Sequence, residues 1–177
     1  MRVVMDATKP PGRCYRQRAI KQTGKGNMMK TAIRSFLILA FPAALAFSGE
    51  ELSTVPFVLG PTSLKAGDAI VIQDVWATST NLTVGDKVVV RGRYDLKSHE
   101  KATLALYLTS SGGTGERELP TQTIKIEKGS SEFELSTLVK HVGHLHLSFY
   151  GQDSDFGCVY FGTPAQMKQI SHWKLSH

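Results

Sequence analysis

The sequence predicts an all-β fold, an antiparallel β-sandwich of immunoglobulin-like or Greek-key type, with a short C-terminal helix. Three observations favour this class. Apolar and polar residues alternate in a series of short runs, and a period of two residues is typical of strands with one solvent-facing side. Clusters of glycine, aspartate and serine separate the runs at intervals of about ten residues. No long helix is indicated between them.

Turn residues set the bounds of each predicted element. Gly67 and Gly85 are each followed by aspartate and introduce two strands, and Gly129 marks a predicted hairpin between two others. The helix is predicted to begin after Thr163, because Pro164 is tolerated at the first helical position and Gln166 completes a capping box. In chain order, the predicted elements are strands 69–75, 87–94, 102–109, 121–127, 132–138, 144–150 and 158–161 and helix 164–171.

A short apolar segment near residue 40 has the layout of an export signal. Lys30 and Arg34 precede the apolar run 36–47, and the small residues Ala44 and Ala46 suit a signal peptidase. The run is shorter than the roughly 20 residues of a membrane-spanning helix. We therefore expect cleavage near Ala46 and a secreted, periplasmic or cell-envelope protein.

Together with this cleavage site, the sequence predicts four parts of the chain. They are a disordered leader or mis-assigned start (1–27), a signal peptide (28–46), an N-terminal extension with a first short strand (47–66) and the β-sandwich domain (67–177). Of the two cysteines, Cys14 falls in the leader. Cys158 is therefore expected to be either a buried thiol or an intermolecular partner.

The positive charge of the chain belongs to its leader. The formal net charge is +6, to which residues 1–46 contribute +8 and residues 47–177 contribute −2. A basic protein suggests nucleic acid or an anionic membrane as its partner, but the mature part is mildly acidic. The sequence therefore predicts no nucleic-acid partner, and no stable membrane span after cleavage.

Basic and aromatic side chains form the first candidate site. Arg91 and Arg93 alternate to one side of a predicted strand, Tyr107 lies in the next strand, and Tyr150 ends a third. Such a face suits sugars, peptides or an anionic polymer. We expect these four residues to bind a ligand if their strands are neighbours. The alternative is an ordinary solvated sheet surface.

Histidines form the second candidate site. His141, His144 and His146 are close in sequence, and on a strand the last two project from one face about 6.5–7 Å apart. That spacing suits two imidazoles sharing Zn or Cu. Alternatively, both histidines are the solvent-facing neighbours of Leu145 and Leu147.

The chain lacks the short motifs that mark common catalytic sites. It contains no nucleophile elbow, HExxH, paired CxxC or phosphate-binding GxxxxGK[ST] sequence. We therefore expect an exported non-catalytic module, without a cofactor, that binds an extracytoplasmic protein or a glycan. The alternatives are an exported Zn or Cu protein and a hydrolase with scattered catalytic groups. The hydrolase would need His99 or His172 beside a carboxylate and a hydroxyl.

Overall fold

The computed structural model describes residues 51–110, 119–152 and 154–175. The predicted leader (1–27), the predicted signal peptide (28–46) and its cleavage site lie outside these residues. Among the described helices, none is long and apolar enough to cross a bilayer.

The described residues form an antiparallel sheet followed by a short helix. The sheet has seven strands in the order β1-β3-β4-β6-β7-β2, and β5 pairs with β4 beside this path. A 3-10 turn (Pro120–Gln122) precedes β5. The strands and helix are β1 (Ser53–Thr54), β2 (Val58–Ser63), β3 (Ala69–Ala77), β4 (Lys87–Ser110), β5 (Thr123–Leu138), β6 (Gly143–Tyr150), β7 (Asp155–Gly162) and α1 (Pro164–Ile170).

The antiparallel β prediction and the C-terminal helix are confirmed, but the described strands form one curled half-barrel instead of two clearly separated sheets. The reason is the length of β4, which spans 24 residues. Along one edge, β4 pairs with β3 over its first half and with β6 over its second half, while β5 follows the other edge. The sheet therefore continues around β4 without dividing.

A bulge in β4 marks the bend between its two halves. The register with β5 shifts between Leu96 and Lys101, so the runs 87–94 and 102–109 are parts of one strand. The Asp68 carboxylate holds the bulge by accepting hydrogen bonds from the backbone N–H groups of Lys97 and Ser98, at 2.8 and 2.9 Å. The long strand therefore bends without being interrupted.

The predicted hairpin at Lys128–Ser131 is wrong. Strand β5 passes through this segment, and Gly129 pairs with Leu96 beside the β4 bulge. Gly129 has a φ of 121°, a conformation that glycine adopts without a steric penalty. Gly129 thus lies within a continuous β5, where the sequence suggested a reversal.

The main core covers one face of the sheet. The inward residues of β4 and β6 alternate with outward ones, as a period of two requires. Burying each large apolar side chain stabilises the fold by about 1.5–3 kcal/mol. Completely buried members of this core include Val88, Val90, Leu104, Leu106, Leu147 and Phe149.

A second, smaller apolar cluster lies on the other face of β7. Tyr160 packs there with Met167 and Ile170 of α1, and Trp173 from the segment after the helix lies against them. Because both faces of β7 are covered, its residues 156–162 are all buried. The outer face of β7 is therefore a second, smaller interior.

The predicted N-terminal extension is part of the sheet. Strand β1 pairs with β3 and strand β2 pairs with β7, at opposite ends of the strand order. Helix α1 packs closely on β2 at Gly60, where a Cβ atom would meet the side chain of Met167. The capping box also forms, and Gln166 donates from its side chain to the Leu82 carbonyl oxygen at 3.1 Å.

Cys158 corrects one expectation from the sequence. Its side chain is completely buried, as expected, but its sulfur takes part in a disulfide. The buried-thiol interpretation assumed that the other cysteine, Cys14, belongs to a removed leader; Cys14 lies outside the described residues.

Candidate functional site

The four residues predicted to bind a ligand lie in two separate places. Arg91, Arg93 and Tyr107 share the outer face of β4, but Arg93 and Tyr107 are roughly 45 Å apart along the strand at ~3.3 Å per residue. Tyr107 and Tyr150 are in contact, with ring centroids 5.5 Å apart and an interplanar angle of 81°. The structure therefore brings the two tyrosines together, away from the arginines.

The arginine end is a solvated face with balanced charge. Arg91 pairs with Glu134 and lies 4.8 Å from the ring centroid of Trp76, and both partners of the ion pair are more than half exposed. Arg93 is opposite Glu132 in the β4–β5 register. Exposed pairs of this kind contribute little to stability, and the acidic neighbours offset the positive charge. This end matches the solvated-surface alternative.

The outer face of β6 carries four polar side chains, at positions 144, 146, 148 and 150, which we call the β6 polar row. His146 and Ser148 are completely buried, and Tyr150 is 6 % exposed. A buried atom of each member lacks a hydrogen-bond partner: His144 Nδ1, His146 Nε2, Ser148 Oγ and Tyr150 OH. Native proteins rarely leave such atoms unpaired. Four along one strand make this row the candidate site.

His146 forms one wall of the candidate site. Its ring lies against Tyr160, with centroids 4.9 Å apart at 31°. Its Nδ1 atom is 3.2 Å from the Thr109 hydroxyl oxygen, which is 3.0 Å from the Tyr160 hydroxyl oxygen. Burial lowers the pKa of His146 to about 4. The imidazole is therefore neutral at pH 7, with one nitrogen that donates and one that accepts.

The other end of the site has a floor of small side chains. Ala105 is opposite Ser148, between the rows that hold Tyr107 and Tyr150. Because the two tyrosine rings are in contact, they meet above the Ala105–Ser148 pair. We call this pair the floor. Ala105 and Ser148 are both completely buried, so any molecule that reaches the floor must part the two rings.

The tyrosine at the end of the row remains protonated. Burial raises the pKa of Tyr150, and the nearby Asp155 and Tyr107 raise it further. The nearby Ser148 hydroxyl acts to lower this pKa. Neither the Ser148 hydroxyl nor the Tyr150 hydroxyl, however, has a partner with full hydrogen-bonding geometry. Both hydroxyls can therefore donate to and accept from a bound molecule.

Trp173 joins the polar row to a groove at the molecular surface. Its ring contacts His144 and Tyr160, with centroid distances of 5.5 and 5.6 Å. The same residue lines a groove of about 360 Å³ between β2 and the end of α1, together with Leu59, Pro61, Met167 and Leu175. Trp173 thus lies between the groove and His144.

The predicted histidine cluster gains no further metal ligand. His144 and His146 share a face, as predicted, but the first lies against Trp173 and the second against Tyr160. His141 precedes β6 and lies outside the strand. The described part of the chain contains no group of three or more His, Cys, Asp or Glu residues that could hold a metal ion.

A serine, an aspartate and a histidine do meet at the β4 bulge, but in an order that does not favour hydrolysis. Ser98 Oγ donates to the Asp68 carboxylate and lies 2.7 Å from His99 Nδ1. Burial raises the pKa of Asp68, but hydrogen bonds from Ser98 and the Lys97 N–H outweigh this effect and lower the pKa. In a catalytic triad, the histidine lies between carboxylate and hydroxyl. Here Ser98 lies between Asp68 and His99, so the serine hydroxyl donates its proton to the ionised carboxylate. The cluster therefore holds the bulge in place.

Sequence reasoning missed Ser148, Ala105, Tyr160 and Trp173. Alternation places Ser148 on the same face as the two histidines, so one signal for this residue was present in the sequence. Nothing in the alternation showed that the face is covered. No family model, curated protein or solved structure matches the chain.

Proposed function

We propose that this protein is an exported, non-catalytic module that binds a ligand at the outer face of β6. Tyr107 and Tyr150, two of the residues predicted from the sequence, flank the proposed site, and Arg91 and Arg93 are outside it. The observation that carries the proposal is the β6 polar row, with its four buried atoms that lack hydrogen-bond partners. Export is supported by the signal-like sequence alone.

The energetic cost of the polar row favours a binding role. Each unsatisfied buried polar group costs about 1–3 kcal/mol, whereas whole domains are stable by only about 5–15 kcal/mol. An apolar residue at position 148 would avoid part of this cost. Retaining polar groups becomes favourable when a bound molecule supplies the missing hydrogen bonds.

A binding screen with matched variants tests the proposal. The full-length protein would be applied to arrays of glycans and peptides, followed by titration calorimetry of any hit. Binding at the polar row predicts that Ser148→Ala weakens affinity, whereas Ser136→Ala, on the solvated outer side of β5, leaves it unchanged. Absence of binding to every probe, or equal effects of both variants, would contradict the proposal.

The alternative function is an exported protein that binds Zn or Cu through His141, His144 and His146. The shared face of His144 and His146 supports it, but no third ligand among the described residues does. Elemental analysis of untagged full-length protein separates the two functions. Stoichiometric metal that is lost in His144→Ala supports the alternative, and metal below about a tenth of a mole per mole rejects it.

Export has its own test, which is independent of the ligand. N-terminal sequencing of the protein recovered outside the cytoplasm should begin immediately after Ala46 or within a few residues of it. A product that retains residues 28–46 would contradict the predicted cleavage. Intact mass measured with and without reductant would also show what is bonded to Cys158 in that product.

A further inference from the structure

The groups that line the candidate site are uncharged. Ser148 and Tyr150 offer hydroxyls. Burial lowers the pKa of His146 to about 4, so its imidazole is neutral above that pH. No described lysine or arginine contributes to the row, and the charged group that acts on Tyr150 is a carboxylate, Asp155. An anionic ligand would therefore meet no compensating cation, and its desolvation would be costly.

The position of β6 in the sheet excludes recognition through its backbone. Strand β6 pairs with β4 on one side and with β7 on the other, so its N–H and C=O groups are already used. A peptide that adds a strand requires a free sheet edge. A ligand on this face must therefore be recognised by side chains alone.

The side chains around the floor favour a flat molecule with several hydroxyl groups. The floor of Ala105 and Ser148 lies beneath the rings of Tyr107 and Tyr150, so a ring inserted there would have aromatic neighbours. Each hydroxyl of a sugar both donates and accepts a hydrogen bond, as the Ser148 and Tyr150 hydroxyls require.

We infer that the β6 polar row binds a neutral oligosaccharide, with one sugar ring seated on the Ala105–Ser148 floor between Tyr107 and Tyr150. This inference rests on the proposed function and specifies its ligand. The sugar hydroxyls hydrogen-bond Ser148 Oγ, Tyr150 OH and His146 Nε2. Tyr107, which is only half-buried, turns aside to admit the ring.

The test uses full-length protein and defined sugars. Neutral cello-, chito-, malto- and xylo-oligosaccharides are compared with anionic oligogalacturonate and heparin fragments by titration calorimetry. We expect at least one neutral sugar to bind and the anionic sugars not to bind. Ser148→Ala and Tyr150→Phe each remove one hydroxyl and should each raise the Kd about tenfold, the effect of losing one good hydrogen bond. Ser136→Ala should leave the Kd unchanged.

Thermal unfolding of the same variants shows whether weaker binding comes from a folding defect. Without sugar, Ser148→Ala and Tyr150→Phe should melt at or above the wild-type temperature, because each removes an unsatisfied buried group. A fluorescence titration in a Trp76→Phe background isolates Trp173, since the sequence has two tryptophans. A change in that signal that saturates with the neutral sugar locates binding beside the row.

The outcomes separate the inference from the proposed function. Binding of only anionic sugars or peptides, still weakened by Ser148→Ala, overturns the saccharide inference and leaves the proposed function intact. Neutral sugar binding that ignores Ser148→Ala and Tyr150→Phe overturns the assigned site. If no probe binds and Ser148→Ala lowers the melting temperature, the hydroxyl already has a partner such as ordered water, and both proposals fail.

Discussion

His146 should make the protein less stable in mild acid. Its side chain is completely buried, and burial lowers its pKa from 6.5 to about 4. In the unfolded chain, this imidazole binds a proton below about pH 6.5, whereas in the folded protein it does so only near pH 4. Folding therefore becomes less favourable as the pH falls through this interval. At about 1.4 kcal/mol per pH unit, the loss is about 3 kcal/mol.

Urea unfolding of wild-type protein and His146→Phe measures this loss. Phenylalanine keeps an aromatic ring against Tyr160 but does not titrate. Between pH 7.5 and 4.5, the wild-type free energy of unfolding should fall by about 2–3 kcal/mol more than that of the variant. His144, whose pKa burial also lowers, is present in both proteins, so its contribution cancels.

The buried carboxylates do not interfere with this measurement between pH 7.5 and 4.5. Burial raises the pKa of Asp68 and Asp86, but hydrogen bonds outweigh it and hold both below 3.8. Their stabilising effect is therefore complete above pH 4.5 and is lost only in stronger acid. If wild type and His146→Phe show the same pH dependence from 7.5 to 4.5, His146 is protonated in the folded protein, and our account of a sealed outer face of β6 is wrong.

Three further predictions concern stability. Ser148→Ala without ligand should raise the free energy of unfolding by about 1 kcal/mol in urea, because it removes an unsatisfied buried hydroxyl; an unchanged or lower value would contradict this. Asp86→Asn should lower the free energy of unfolding by about 2 kcal/mol, because one Asp86 oxygen accepts hydrogen bonds from a backbone N–H and two hydroxyls. Asp74→Asn, at an exposed site, is the control. Gly92→Ala should lower the melting temperature by about 5 °C or more, since its Cβ would lie 2.1 Å from the Val71 carbonyl oxygen; an unchanged melting curve would refute the clash.

The sequence predicted β6 well because its alternation is strong. Leu145, Leu147 and Phe149 face the main core, and His144 and His146 share the opposite face, as expected. The error concerned what covers that opposite face. Residues distant in sequence cover it, among them Tyr160 and Trp173, and a period of two residues contains no information about such contacts.

The hairpin error at Lys128–Ser131 has a similar origin. Lysine, glycine and two serines are typical of a turn, so local preference favoured a reversal. The partner strand decided otherwise, because β5 pairs with β4 on both sides of the β4 bulge. This cross-strand pairing keeps β5 continuous, and Gly129 adopts a positive φ beside the bulge.

The order of residues alone determined the antiparallel β character, the helix after Thr163 and the inward faces of the central strands, because these follow from short-range periodicity and capping. Only the tertiary structure decided that the strands curl as one sheet, that Arg93 and Tyr107 are far apart, and that Ser148 is sealed beneath Tyr107 and Tyr150. The physical reason is that strand order and burial depend on pairings across long sequence separations. Alternation specifies which side chains share a face, but it does not specify what packs against them.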